Sequence, residues 1–344
     1  MKVLYGFIGL MPLAVAAHFL HWPPIVVFAT SAMAIIPLSA LLGRATEELA
    51  AHVGPTIGGF LNATLGNLAE LIIASLALRA GLIDLVMSSI TGSILGNLLL
   101  VLGASAFAGG LKYPIQKFDS HFVGVNSSLL VTAVIGLVVP AVFAAWHPTH
   151  SSISLSVDVA ALLMFGYLLS LVYSMITNRA AFASNRAHEE PPDWTMGRTV
   201  TVLVLSAAAI GVLSELLVGA TAEATKALGL SHFFVGLVLV PIIGNAAEHS
   251  SAILMARKDR MDIAVSIAVG SSVQVALLVA PLLVFLGRAF NQPMTLAFRP
   301  FEVVSVALAV WSATQMMTDA ESNWLEGILL LVVYAVMGSA FYLI

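Results

Sequence analysis

The chain has 344 residues, 60% of them apolar and 9% charged, against about 25% charged in a soluble domain, so solvated groups cannot cover its surface and lipid must surround most of it. The formal net charge of −4 is small, and the chain lacks a basic patch that could track phosphates, so nucleic acid is not an expected partner. Cysteine is absent, which excludes a disulfide framework, a thiolate metal site and a thiol redox motif.

A helix needs about 20 apolar residues to cross the hydrocarbon core. Eleven segments meet that condition: 3–20, 24–43, 56–78, 84–109, 121–146, 153–177, 198–220, 231–256, 262–287, 299–317 and 325–343. The first, with Lys2 ahead of it, also has the form of a signal peptide, but no clear small-x-small cleavage site closes it before His21-Trp22-Pro23-Pro24, so it is expected to stay as a span. The predicted fold is all-α and integral to a membrane. Residues 1–22 form an extra N-terminal helix, 23–178 a first five-helix unit, 179–197 a polar linker and 198–344 a second five-helix unit.

Lysine and arginine mark cytoplasmic loops. With the N-terminus on one side, that side holds ten basic residues, Lys2, Arg44, Lys112, Lys117, Arg179, Arg186, Arg198, Arg257, Lys258 and Arg260; the other holds four, Arg79, Lys226, Arg288 and Arg299. The N-terminus is therefore predicted cytoplasmic and the C-terminus outside.

Displaced by 178 positions, residues 58–101 lie over 236–279 without a gap, and 16 of 44 positions agree. The strongest block sets Gly66-Asn67-Leu68-Ala69-Glu70 over Gly244-Asn245-Ala246-Ala247-Glu248. Arg79 matches Arg257, Asp84 matches Asp262, and Gly92-Ser93 matches Gly270-Ser271. Five spans separate equivalent points, and an odd number inverts the second copy. Inverted repeats are a recurrent plan of secondary transporters, with the site near the midplane at the repeat interface.

A carboxylate in mid-membrane is expensive and is functional by default. Glu70 and Glu248 hold matching positions, and two facing carboxylates cannot both stay ionised cheaply. A divalent cation between them relieves the repulsion, and so do protons. The two states exclude each other because both use the same oxygens, which is the minimal chemistry of an antiporter. No pair of histidines at i, i+4 lies in the spans, which argues against zinc or copper. The candidate ligands are oxygens: Glu70, Glu248, the amides of Asn67, Asn245, Asn97 and Gln274, and the hydroxyls of Ser93, Ser271 and Ser272. Calcium takes such ligands, carbonyls included. Gly66-Asn67 and Gly244-Asn245 weaken a helix, and Pro241 removes a donor ahead of the second, so the carbonyls of Gly66 and Gly244 join the set. Ser93 and Ser271 sit beside glycines and also fit plain close packing.

His249 faces Leu71 in the first copy and breaks the symmetry; it reads either as a histidine bonded to a carbonyl or as a proton relay or gate. Glu47, Glu48, Glu215 and Glu223 are expected to be entrance carboxylates that concentrate cations, in or near the second and seventh spans. Ala45-Thr46-Glu47-Glu48 and Ala220-Thr221-Ala222-Glu223 look like degenerate copies of one another.

The segments Gly66 to Ile72 and Gly244 to His249 resemble the two signature repeats of the Ca2+/H+ exchanger family, the proton-coupled branch of the cation/Ca2+ antiporters. Gly92 to Asn97, Gly270 to Gln274 and Ser214 to Val218 match further helices of that family. The resemblance implies eleven helices with one outlying N-terminal helix. It also implies Glu70 and Glu248 as the central cation and proton ligands, with Asn67, Asn245, Ser93, Asn97, Ser271 and Gln274 as polar lining. The acidic segment that members often carry between the halves is reduced here to Glu189, Glu190 and Asp193. Calcium and protons are the expected partners, exchanged across a prokaryotic plasma membrane with calcium leaving the cytoplasm; no cofactor is expected and the oligomeric state is left open. The runner-up is a sodium/calcium exchanger, followed by Mn2+ or Na+ exchange for protons and, from another class, a passive cation channel. A membrane hydrolase would need a His-Glu-x-x-His or Gly-x-Ser-x-Gly motif, and neither is present.

Overall fold

Long apolar runs without water must satisfy their backbone internally, and helices do so within one segment. A computed structural model describes residues 9–147, 151–174 and 192–343. Its elements are α1 (Leu10–Phe19), α2 (Pro24–Val53), α3 (Pro55–Leu65), α4 (Leu68–Arg79), α5 (Ile83–Gly110), α6 (Ser120–Trp146), α7 (Ile153–Val172), α8 (Met196–Leu228), α9 (Val235–Ala256), α10 (Met261–Ala289), α11 (Pro300–Met316) and α12 (Trp324–Tyr342), with strands β1 (Gln116–Lys117) and β2 (Glu321–Ser322). Lys2, Arg179, Arg186, Glu189, Glu190 and the start of the first expected span lie outside the described residues.

Among the described residues, eight helices are long and apolar enough to cross a membrane: α2, α5, α6, α7, α8, α9, α10 and α12. Three expected spans are not among them, each for a visible reason. The segment 56–78 is broken at Gly66-Asn67 into α3 and α4. The segment 299–317 gives a helix of 17 residues, preceded by irregular backbone in which Met294, Leu296 and Phe298 are buried. Of 3–20 only α1, ten residues, is described as helix. Apolar side chains face outward at helical spacing, as with Val131, Ile135, Val139 and Val142 on α6, which are 49%, 55%, 45% and 40% exposed. Lipid, not water, suits such a stripe.

The chain divides into two compact units. One comprises residues 1–86 and 171–247, the other 87–170 and 248–344. In the first, α8 packs along α2 and also meets α4, while α1 and α3 pack on α2. Gly54, at φ +84°, turns the chain between α2 and α3, and Gly58 lies directly against the Ala50 carbonyl. The linker re-enters at Asp193-Trp194 and is held by the end of α2. Arg44 pairs with Asp193 at 3.2 Å, the Trp194 N–H donates to Glu48 Oε2 at 3.1 Å, and His52 Nε2 donates to the Trp194 carbonyl at 2.7 Å. The guanidinium groups of Arg44 and Arg198 lie 5.0 and 4.8 Å from the indole ring.

In the second unit, α10 packs on α5 and α6, α11 on α6, and α12 on α5. Gly103 and Gly327 permit the last contact: a Cβ on Gly103 would stand 3.0 Å from the Gly327 carbonyl. β1 pairs antiparallel with β2, Gln116 opposite Ser322 and Lys117 opposite Glu321, and Lys117 Nζ is 2.9 Å from Glu321 Oε1. Gln116 Nε2 donates to the Ala256 carbonyl at 2.9 Å and to Asp259 Oδ1 at 3.0 Å. The three loops joined here, after α5, α9 and α11, are three that the expected order of spans puts on one side.

The repeat extends to local backbone. α5 begins at Ile83 and α10 at Met261, 178 positions apart. The turns before them pass through the left-handed region at Gly81 (φ +79°) and Asp259 (φ +63°), again an equivalent pair. Inside the two long helices, π-helical turns fall at Gly96–Val101 and Val275–Val279, ending at equivalent residues.

Candidate functional site

The first motif sits where the helix breaks. Asn67 has φ −95° and ψ 23°, outside the helical range, and its carbonyl accepts the Leu71 N–H at 3.0 Å. Glu70 then falls in the first turn of α4, where the positive end of the helix favours a carboxylate. Asn67 and Glu70 are 4% and 3% exposed. The second motif behaves differently. α9 runs unbroken through Gly244-Asn245, so the expected weakening is present in the first copy and absent in the second. Pro241 is accommodated near a π-helical turn at Val235–Leu239, where the regular i to i−4 ladder is already disturbed.

Within the first unit the two motifs meet. A Cβ on Gly244 would stand 3.9 Å from both Cα and Cβ of Glu70, an ordinary packing distance, so α9 passes beside the base of the glutamate. Asn245 is 3% exposed. Glu248, half-buried, stands one helical turn beyond Gly244 on α9. Counted from Pro55 and from Val235, Glu70 and Glu248 lie about 20 Å along their segments. Both make contacts within the protein; of their oxygens, Glu70 Oε2 and Glu248 Oε2 are buried and accept no hydrogen bond from the described residues.

The second unit holds the other lining residues. Ser93, Asn97 and Ser271 are buried on α5 and α10, and Gln274 is half-buried. Asn97 Nδ2 donates to Ser271 Oγ at 3.0 Å, and its Oδ1 is 3.1 Å from His249 Nε2. Ser272 donates back to the Ala268 carbonyl at 2.9 Å, a bond within its own helix. Among the described residues, no cluster of three or more His, Asp or Glu is spaced to hold a metal. The candidate oxygens are mainly amides and hydroxyls, donors that suit a hard cation.

The outlying carboxylates have separate surroundings. Glu48 is buried and holds the linker; Glu47 and Glu223 are exposed. Glu215 pairs with Arg79 at 3.2 Å, both more than half exposed, a pair that contributes little stability. Thr46 and Thr221, equivalent in the degenerate copies, each donate one turn back, to the Leu42 and Leu217 carbonyls at 3.0 and 2.7 Å. One buried carboxylate escaped the sequence reading. Glu302, 1% exposed, accepts from Thr91 Oγ1 at 3.1 Å and from the Arg299 N–H at 3.0 Å. The available signal was Pro300 followed by Glu302 at the third helical position, an N-terminal pattern.

Comparison with known proteins gives concordant results. A family model described as "Sodium/calcium exchanger protein" matches residues 23–176 and again 198–343. A "Ca(2+)/H(+) antiporter" of Aphanothece halophytica is 43% identical over 99% of this chain and 96% of its own length. The "Ca(2+)/H(+) antiporter ChaA" of Bacillus subtilis (strain 168) is 43% identical over 97% of each chain. The solved structure of native YfkE superimposes with a TM-score of 0.87 at 39% identity, covering 99% of this chain and 100% of that one. With the repeated motif and matches along the whole length, this chain is a member of the sodium/calcium exchanger protein family.

Proposed function

We propose that the protein is a secondary antiporter that exports Ca2+ from the cytoplasm in exchange for protons. The observation that carries this reading is the duplicated Gly-Asn-x-Ala-Glu motif, set 178 residues apart in helices deep in an apolar chain. Relatives similar over the full length that carry the name Ca2+/H+ antiporter support it. In this reading Glu70 and Glu248 share one midplane site, with Asn67, Asn245, Ser93, Asn97, Ser271, Gln274 and the Gly66 and Gly244 carbonyls around it. Each glutamate is relieved of charge in turn by Ca2+ or by protons. The chain crosses the membrane eleven times as an extra helix and two inverted five-helix units, in a prokaryotic plasma membrane with its N-terminus cytoplasmic. Glu47, Glu48, Glu215 and Glu223 lie on the approaches.

The family description names sodium, which keeps sodium coupling as the second reading. The experiment is uptake of labelled Ca2+ into proteoliposomes with an imposed pH gradient, in the presence and absence of a sodium gradient. Uptake driven by the pH gradient alone supports proton exchange. Uptake that requires the sodium gradient transfers the assignment to sodium/calcium exchange, and uptake with neither gradient, down the calcium gradient alone, points to a channel.

A further inference from the structure

Three residues on three helices form one hydrogen-bonded chain inside the second unit. His249 on α9 meets the side-chain carbonyl of Asn97 on α5 at 3.1 Å, and the Asn97 amide nitrogen donates to Ser271 on α10 at 3.0 Å. Asn97 is 1% exposed and is the second residue of the π-helical turn Gly96–Val101, the kind of irregularity that re-aims side chains at functional sites. Both ends of its amide are engaged. With the nitrogen end committed to Ser271, the oxygen end faces the imidazole, and the bond requires a proton on His249 Nε2. A cation on that oxygen, at about 2.4 Å for calcium, would stand beside the positive end of the imidazole N–H.

The repeat supplies a second argument. The residues equivalent to His249 and Asn97 are Leu71 and Val275, while Ser271 is matched by Ser93. The other copy therefore cannot make this chain. His249 and Asn97, each of which the repeat exchanges for an apolar side chain, are bonded to each other, as expected if they serve one another and not a shared ion.

We infer that Asn97 is a positioning residue that fixes the orientation and the protonated nitrogen of His249 beside Glu248, and does not bind the transported cation. This rests on the exchange reading above and removes one residue from its ligand set. The test is Ca2+ transport by Asn97→Ala in proteoliposomes, in the wild-type and His249→Leu backgrounds. Asn97→Ala is expected to lower the maximal rate about fivefold or more with KM for Ca2+ within about twofold. In the His249→Leu background it is expected to add nothing further. A rise in KM of about tenfold in both backgrounds would make Asn97 a cation ligand and overturn the inference.

The double variant Asn97→Val with His249→Leu installs the apolar pair of the other copy, a replacement of both partners that proteins tolerate better than loss of one. It keeps the test decisive should Asn97→Ala fail to fold: unchanged KM supports the inference and raised KM overturns it. Nitrogen NMR of labelled histidine, without calcium, reads the geometry independently of transport. The His249 signal, identified by its loss in His249→Leu, is expected to report the proton on Nε2 and to become a tautomer mixture in Asn97→Ala. No change there would overturn the inference even if exchange is confirmed.

Discussion

A carboxylate at the centre of a bilayer costs about 2.5–3.5 kcal/mol on insertion scales, and this chain carries two at equivalent positions of an apolar repeat. If they hold the exchanged ions, Glu70→Gln and Glu248→Gln should each keep the protein folded and lower Ca2+ transport by about two orders of magnitude, about the loss of one buried charge–charge contact; the measurement is initial uptake rate at equal protein content in the vesicles. Glu302 is a different case, since its carboxylate caps α11 and accepts from Thr91. Thr91→Val should cost about 1–2 kcal/mol, because the buried Glu302 oxygen then loses a partner, and it should leave KM for Ca2+ unchanged; thermal unfolding in detergent paired with transport kinetics checks both. Glu70 and Glu248 were legible because a repeated acid in an apolar run has no ordinary explanation. Glu302 was not, because an acid after Arg299-Pro300 reads as a solvated helix start, and only the buried, non-helical backbone before it takes it out of water.

Between elements, a concentrated set of polar contacts fastens Trp194 to the end of α2. Two arginines flank the indole, worth about 0.5–1 kcal/mol each, and the ring is 7% exposed. Trp194→Ala should therefore lower stability by about 2–4 kcal/mol, seen as an earlier thermal transition, whereas Asp193→Asn removes a pair with a 66% exposed carboxylate and should cost under about 1 kcal/mol. The sequence located the helices well, since apolar length and flanking Pro, Gly and charge suffice for that. It did not reveal that Gly66-Asn67 breaks a helix while Gly244-Asn245 does not. The composition of the two pairs is the same; their surroundings differ, since the second follows a π-helical turn and Pro241. Nor did it show the clasp, whose partners Arg44 and Asp193 are 149 residues apart.

At the scale of the whole molecule, the duplication was readable from a gapless alignment of the chain on itself, and the left-handed turns and π-helical turns at equivalent positions carry it into the backbone. The eleven expected crossings were less secure in form, because a broken helix and a 17-residue helix do not meet the length that hydropathy alone assumes. If protons and Ca2+ compete for the same carboxylates, acid must weaken Ca2+ binding. As pH falls the carboxylates protonate, Ca2+ has to displace those protons, and KM should rise by about tenfold per pH unit for each proton displaced. A KM flat across the acid range, with the pH equal on both sides of the membrane, would mean that the ions use separate groups.

The competition can be read without transport. Titration of the purified full-length protein with Ca2+ in a calorimeter, repeated in buffers of different ionisation enthalpy, counts the protons released per ion bound. Proton release is predicted with the wild type, and neither binding nor release is predicted with the Glu70→Gln, Glu248→Gln double variant. Ca2+ that binds without releasing protons, or that binds the double variant as tightly as the wild type, would contradict the shared site.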